Sequence, residues 1–449
     1  MRLSPLLLRL RPVLLVALLI LAALRPLQAG QSSQYFSGPG GMSVYLLENH
    51  ANPMVEMRLL SRGGAAHDPP GKAGLAAISA WMFNEGSTEL TSSAFHERLD
   101  FHGIHLGATA NVETLQVNLT TRTEHLDEAL ARLADLIFRP RMEEKDWQRA
   151  VLEQKASIIK AREQPQTQAS LRMYQLLFPD HPYGSPLSGT IEGLSNITLE
   201  DVRERHVAMM HAPHLILAVA GAISRAQLES LLRQHLAALD PTPSPLAAIP
   251  PVAWPPQQQS SSSSRQEHIE FAVPQTTLML ATLGISRHDP DYYPFYVLNQ
   301  ILGGAGLSSR LNREIREKRG LTYGVYSRFS PLSQPGAFIV VMKTKNASSN
   351  EALQLLRQEL QKMADSGVSA EELQEAIEYL TGSFPLHLDG LGKLAATWAT
   401  IGYFQLGEDY LQRWPERIRQ VTEADILRVA KRILDLSQFY TVTVGKAPS

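Results

Sequence analysis

The sequence predicts an α+β protein made of two homologous, duplicated domains, each an antiparallel-rich sheet packed with helices. Three observations carry that prediction. At 449 residues the chain is too long for one ordinary core, so two domains of roughly 100 to 250 residues are expected. The same order of signals occurs twice: an alternating strand leads into an amphipathic helix near Asp127-Glu128-Ala129-Leu130 and again near Asn350-Glu351-Ala352-Leu353, roughly 223 residues on. Between the two copies lies "DPTPSPLAAIPPVAWPPQQQSSSSSRQEH", where proline stiffens the chain and serine keeps it solvated.

In the first copy, "MSVYLLENH" and "MVEMRLLSRGG" read as strands and "GLAAISAWMF" as a helix, followed by "ANVETLQVNLTTRTEHLDEALARLADLIF". The second offers "HIEFAVPQTTLMLATLGIS", a helix in "DYYPFYVLNQILGG", then "GAFIVVMKTKNASSNEALQLLRQELQKM". Helical hairpins are expected after these in "EEKDWQRAVLEQKASIIKAREQ" and "SAEELQEAIEYLTGSFPL". Each copy ends on a short apolar strand, "HLILAVAGAI" and "QFYTVTVGK", suited to closing its own sheet. The divisions that follow are 1–29, 30–240, a linker over 241–266 that belongs to neither core, and 267–449.

Residues 1–29 carry Arg2, Arg9 and Arg11 before the apolar run "PVLLVALLILAAL" and a small residue at Ala29. That is the pattern of a secretory signal peptide. The run is shorter than the ~20 residues a spanning helix needs, so no stable membrane span is expected after cleavage; a retained anchor is the alternative. The chain has no Cys, which excludes disulfides, thiolate catalysis and Cys-ligated zinc. Export to a periplasm fits these features. A net charge of -2 without a basic cluster gives no reason to expect nucleic acid.

Catalytic signals are sparse. Neither G-x-S-x-G nor a Walker-type lysine loop occurs. His102 and His105, or His211 and His214, are separated by Gly103 and Pro213 and lack an acidic partner at helical spacing. A helical H-x-x-E-H site works because residues at i and i+4 stand on one face and converge on a metal, with the intervening carboxylate as base.

The segments "SRGGAAHDPPGKAGLAAISAWMFNEGST", "ATANVETLQVNL", "WQRAVLEQ" and "HPYGSPLSGTIEGLSNITLEDVRERH" resemble, in order and content, the N-terminal half of the pitrilysin/insulinase-type peptidases, in particular their short bacterial and processing-peptidase branch. The resemblance covers nearly all of the chain after residue 29. It implies that the first metal-binding histidine position is held by Ala77, the glutamate by Ala80 and the second histidine by Trp81. The distal glutamate position falls on Gln154, or on Glu153 if the register moves by one. Methyl groups and an indole have no lone pair to give, and one carboxylate is short of the three protein ligands of a catalytic zinc. No zinc is expected on this chain, and "GLAAISAWMF" is expected to be a buried core helix with Trp81 in the volume left by the metal.

The second half departs from this. "NQILGGAGLSSRLNREIREKRGLTYGVYSRFSPLSQPGAF" resembles the family's C-terminal half, where a Gly-rich turn leads into a helix ending R-E-K-x-G-L-x-Y. The resemblance places Arg316 and Tyr323 at the positions whose side chains reach toward the zinc site. Small residues Gly303, Gly304 and Gly306 are expected before the helix and Gly320 as its cap, with Leu321 to Phe329 alternating as a strand that holds Tyr323. Peptidases of this type include pairs in which one subunit bears the zinc and the other the arginine and tyrosine. The expectation is a chain of the second kind: a half-clam inactive alone, with a zinc-bearing homologous partner and a peptide substrate. A catalytically inactive scaffold or peptide-binding homologue is the alternative.

Overall fold

The computed structural model describes residues 33–253 and 265–447. The signal-peptide reading and the Gln/Ser part of the expected linker lie outside these residues. The first half contains β1 (Gln34–Ser37), β2 (Ser43–Glu48), β3 (Met54–Arg62), β4 (His105–Ala110), β5 (Thr114–Arg122) and β6 (Ile216–Gly221). Its helices are α1 (Leu75–Phe83), α2 (Ser92–Phe101), α3 (Leu126–Phe138), α4 (Glu144–Arg162), α5 (Pro165–Leu177), α6 (Ile191–Asn196), α7 (Leu199–Met209) and α8 (Arg225–Leu236). The second half contributes β7 (Gln266–Glu270), β8 (Gln275–Leu283), β9 (Val325–Phe329), β10 (Ala337–Lys345) and β11 (Tyr440–Gly445). With them come α9 (Tyr292–Asn299), α10 (Ser349–Ser366), α11 (Ala370–Ser383), α12 (Leu391–Tyr403), α13 (Tyr410–Arg419) and α14 (Glu423–Ile433).

The duplication is visible in the strand order. One sheet runs β1-β2-β6-β3-β5-β4 and the other β7-β11-β8-β10-β9. Apart from β1 the two orders are the same, so β4 and β9 are equivalent edges. The last strand of each half joins its own sheet, as the sequence suggested, but in the interior and not at an edge. Strand β6 lies between β2 and β3, and β11 between β7 and β8, each parallel to the first neighbour and antiparallel to the second. Flanked by strands on both sides and covered on both faces, "ILAVAG" and "YTVTVG" are buried along nearly their whole length.

Side chains alternate between faces along a strand, and each sheet uses both of its faces. In the first, Leu217 and Val219 join a core under α2, α3 and α8. Ala218 and Ala220 face the opposite way, onto Trp398, Ala399 and Ile401 of α12, a helix from the second half. In the second sheet Leu278 and Leu280 join the core beneath α9 to α11, α13 and α14. Met279 and Ala281 meet Ala169, Met173 and Leu177 of α5, a helix from the first half. The halves therefore exchange a helix. The approach of α12 is close enough that a Cβ on Gly402 would lie 2.6 Å from the Tyr45 ring. Burying a side chain such as Trp398, fully enclosed here, is worth about 2 to 3 kcal/mol, so this covering is a substantial part of the fold.

Two expectations change accordingly. The halves do not each complete their own core, because a strand pattern shows that a face is apolar without showing which helix covers it. The segment 241–253 is also not a free spacer. Leu246 packs on the first core, Ile249 and Val252 pack on the mixed core beneath α5, and the His181 ring lies 2.8 Å from the Pro250 carbonyl. Apolar residues spaced among prolines let an extended chain lie along the surface. Strand β7 begins at Gln266, inside the range expected to be linker.

Candidate functional site

Helix α1 is held from below by a buried carboxylate. Asp68 accepts hydrogen bonds from the backbone N–H of Gly74 (2.8 Å) and Ala76 (2.9 Å), satisfying donors that a helix N-terminus leaves open. Gly74 itself takes φ 107°, a conformation suited to glycine. Arg205 pairs with Asp68 at 3.0 Å, both side chains 3% exposed. Burial pushes the Asp68 carboxyl up to about 6, against the opposing pull of Arg205 and the backbone donors. The adjoining His67 is pushed down to about 4, by burial first and Arg205 second, so it is neutral at pH 7.

The residues that the resemblance assigns to the zinc motif lie on this anchored frame. Ala80 is buried, Ala77 and Trp81 are partly exposed, and Gln154 is buried on α4, which packs against α1. Trp81 does not fill an interior volume as expected. Its indole runs beside the helix and donates to Glu85 Oε1 at 3.3 Å, because a polar N–H at a half-open site finds an acceptor one turn on. Glu85, itself buried, is paired with Arg149 of α4 at 2.7 Å, and Arg149 lies 3.6 Å from Glu153. Gln154 donates from Nε2 to the Ser188 carbonyl at 2.8 Å, tying α4 to the loop before α6. Glu153 is exposed and Gln154 is the inward residue.

This set does not fit zinc. Two methyl groups and an indole offer no donor pair, Gln154 spends its amide on Ser188, and Glu85, the carboxylate bonded to Trp81, is paired with Arg149. Among the described residues no group of three or more His, Cys, Asp or Glu side chains could hold a metal ion. The Glu85–Arg149 pair was missed from sequence; the only signal was a Glu four residues after Trp81.

The Arg/Tyr corner is built differently. Residues Gln300–Gly304 and Asn312–Glu317 form widened helical turns with i→i+5 hydrogen bonds, such as Ala305 N–H to Gln300 O (3.0 Å) and Lys318 N–H to Arg313 O (3.2 Å). Gly303 and Gly304 therefore lie inside a helical turn, not in a loop before the helix. Gly303 is needed there because its Cβ would come within 2.5 Å of the Ser327 nitrogen on β9. Gly320 caps the second helical segment as expected, at φ 64°, with its N–H on Arg316 O (2.9 Å) and the next N–H, of Leu321, on Ile315 O (3.2 Å).

Tyr323 is not inside the strand. It precedes β9 by two residues and is 89% exposed. The cause is Thr322, whose hydroxyl accepts from Gly324 N–H (3.1 Å) and is within bonding distance of the Gly324 (2.9 Å) and Lys343 (2.8 Å) carbonyls. That local competition with the ladder turns the chain before it can pair. Arg316 sits in the last helical turn, partly exposed and no closer than 3.9 Å to Glu317. Among the described residues the Tyr323 hydroxyl has no hydrogen-bond partner. Arg316 and Tyr323 are placed by neighbours from the second half alone, and the α1 positions by neighbours from the first.

Asn312 organises the corner. It is fully buried, donates to the carbonyls of Val325 (2.6 Å) and Gly306 (2.8 Å) and to Ser309 Oγ (3.1 Å), and accepts from Val325 N–H (3.2 Å). An amide thus pairs with the edge of β9 as a strand would. The equivalent edge β4 is treated the same way: Asn84, at the end of α1, accepts from Ala108 N–H (2.6 Å) and donates to Ala108 O (3.0 Å).

Residues 43–191 match the family described as Insulinase (Peptidase family M16), and residues 196–380 match the Peptidase M16 inactive domain. A non-peptidase homolog, YmxG, of Helicobacter pylori is 26% identical over 392 residues, covering 87% of this chain and 88% of that one. The crystal structure of a peptidase M16 inactive domain from Pseudomonas fluorescens superposes with a TM-score of 0.86 at 29% identity, over 92% of this chain and 98% of that one. The periplasmic protease PqqL of Escherichia coli shares the fold, with a TM-score of 0.77 at 16% identity over 93% of this chain and 46% of that one. With both family matches falling in order along one duplicated fold, this chain belongs to the pitrilysin/insulinase-type peptidase family, M16, and its sequence contains no H-x-x-E-H motif.

Proposed function

We propose that this chain is the non-zinc-binding subunit of a periplasmic heterodimeric zinc metallopeptidase, presenting Arg316 and Tyr323 to a zinc-bearing homologous partner. One observation carries the reading: the metal-ligand positions hold groups that cannot bind zinc, whereas the Arg/Tyr corner keeps a guanidinium and an outward-facing phenol on a buried scaffold centred on Asn312. A free phenol can donate to a developing oxyanion, a contact worth about 3 kcal/mol when lost. A guanidinium can hold a peptide carbonyl or carboxylate through two N–H groups. The export reading rests on the apolar N-terminal segment, and the periplasmic location of one fold relative accords with it.

Mixing the purified chain with a zinc-bearing homologue and following cleavage of short peptides tests this. The chain alone should cleave nothing, and Tyr323→Phe should lower turnover of the pair about 100-fold with assembly intact. Unchanged turnover removes Tyr323 from the mechanism. A second reading, an inactive scaffold or peptide-binding homologue, is favoured by the non-peptidase description of the Helicobacter pylori relative. It predicts no cleavage in any mixture.

A further inference from the structure

The crease between the halves holds a buried polar cluster in a largely apolar junction, where the Arg172–Glu267 ion pair of α5 and β7 is a second, more exposed polar contact. The turn between β4 and β5 carries Glu113, 3% exposed. It is fixed in place from behind: Ala65 N–H reaches Asn111 O (3.0 Å), Ala66 N–H reaches Val112 O (2.7 Å), and Gly64 lies so close that a Cβ there would meet Asn111 O at 2.4 Å. From this mount the carboxylate gathers groups from three other places. It accepts from the Tyr183 hydroxyl, just beyond α5, and from the Tyr403 hydroxyl (3.4 Å), the last residue of α12. It also accepts from Ser333 N–H (3.1 Å) and Oγ (3.1 Å) at the tip of the β9–β10 hairpin. Gln334 N–H adds a bond to the Tyr183 oxygen at 3.3 Å.

Tyr403 ends α12 and Tyr183 lies in the short turn that follows α5, and these are the two helices that the halves exchange. Beside the cluster lies a cavity of about 390 Å³, walled partly by Leu60, Val112, Tyr174, Phe178, Leu332 and Phe404. Apolar walls gain by coming together, and packing of alanine, methionine and leucine faces has no strong preferred register. Hydrogen bonds to a buried carboxylate do have a fixed geometry and are stronger than those between neutral groups. Both phenols are held above their ordinary range, by burial first and by the facing Glu113 after it, so they stay protonated and serve as donors.

We propose that Glu113 is a clamp that sets the opening between the two halves, bracing the crease so that the chain behaves as one rigid body. The clamp belongs to this chain alone and does not depend on the function proposed above. Hydrogen exchange on the full chain tests it. Glu113→Ala should speed exchange of the amides at 182–185 and 331–335 at least tenfold, leave those of α3 and α10 unchanged, and alter the radius of gyration in solution scattering. Protection at 331–335 equal to the parent's, or equally faster exchange through both sheets, overturns the clamp. If Glu113→Ala does not fold, Ser333→Ala and Tyr403→Phe each delete one donor and should raise exchange at 331–335 two- to threefold. No change in both overturns it as well.

Discussion

The two edge strands, β4 and β9, are clasped in the same way and support opposite surfaces. At β4 the Asn84 amide pairs with both backbone groups of Ala108, and the helix it ends presents methyl groups and an indole backed by Glu85 and Arg149. At β9 the Asn312 amide pairs with both backbone groups of Val325 and supports a guanidinium and a phenol that face outward. The frame is held by satisfaction of backbone donors and acceptors, which does not depend on what the neighbouring side chains can do chemically. The side chains that α1 presents can therefore change without loss of the fold.

The largest effect should come from restoring the missing donors. If α1 keeps the geometry of a metal-binding helix, the combined variant Ala77→His, Ala80→Glu, Trp81→His and Gln154→Glu should bind one zinc per chain by plasma-emission analysis, where the parent binds none. A folded variant without zinc would mean that the Glu85–Arg149 pair has closed the frame as well as the chemistry.

Next in size is the clasp itself. Asn312→Leu leaves the buried N–H and C=O of Val325 without partners and should lower the urea-unfolding free energy by about 3 kcal/mol. Asn84 is partly exposed, water can replace its amide, and Asn84→Leu should cost only about 1 kcal/mol. Equal losses would break the distinction between a buried and a solvated clasp.

The halves should also differ in acid. His67, at the base of α1, is held down to about 4, below its ordinary value near 6.5. The unfolded chain takes up the proton first, so the stability due to neutral His67 is complete above about pH 6.5 and is lost as the pH falls toward 4. His67→Gln should reduce the fall in stability between pH 7 and pH 4.5 by on the order of 2 kcal/mol. Asp68, raised to about 6, has the opposite sign: its contribution is complete below its unfolded value near 4 and declines as the pH rises through 6. An unaltered pH profile for His67→Gln would place the acid sensitivity elsewhere.

The smallest effect belongs to Tyr323→Phe on stability. With the ring 89% exposed the unfolding free energy should stay within about 0.5 kcal/mol, so the loss of turnover expected for this variant cannot be attributed to misfolding. A larger shift would show that the ring is held by the fold.

The duplication, the α+β class and the absence of an H-x-x-E-H motif could be read from residues alone, because they depend on local quantities. Strand alternation gave β3, β5, β8 and β10, a glycine at the required φ gave the cap at Gly320, and the absence of lone pairs at Ala77, Ala80 and Trp81 is a property of the residues. Strand β4 was hidden because "HLGATA" is short, small and only partly buried, and Tyr323 was misplaced because Thr322 competes locally with the strand ladder.

What only the tertiary structure decided is pairing at a distance. Whether Ala218 and Ala220 would be covered by a helix of their own half or by α12, and whether Glu113 would meet Tyr403 across 290 residues, depends on which apolar faces and polar groups meet in three dimensions. A periodic pattern states that a face must be buried, since exposing it costs free energy. It does not name the surface that buries it, because the hydrophobic effect has no direction.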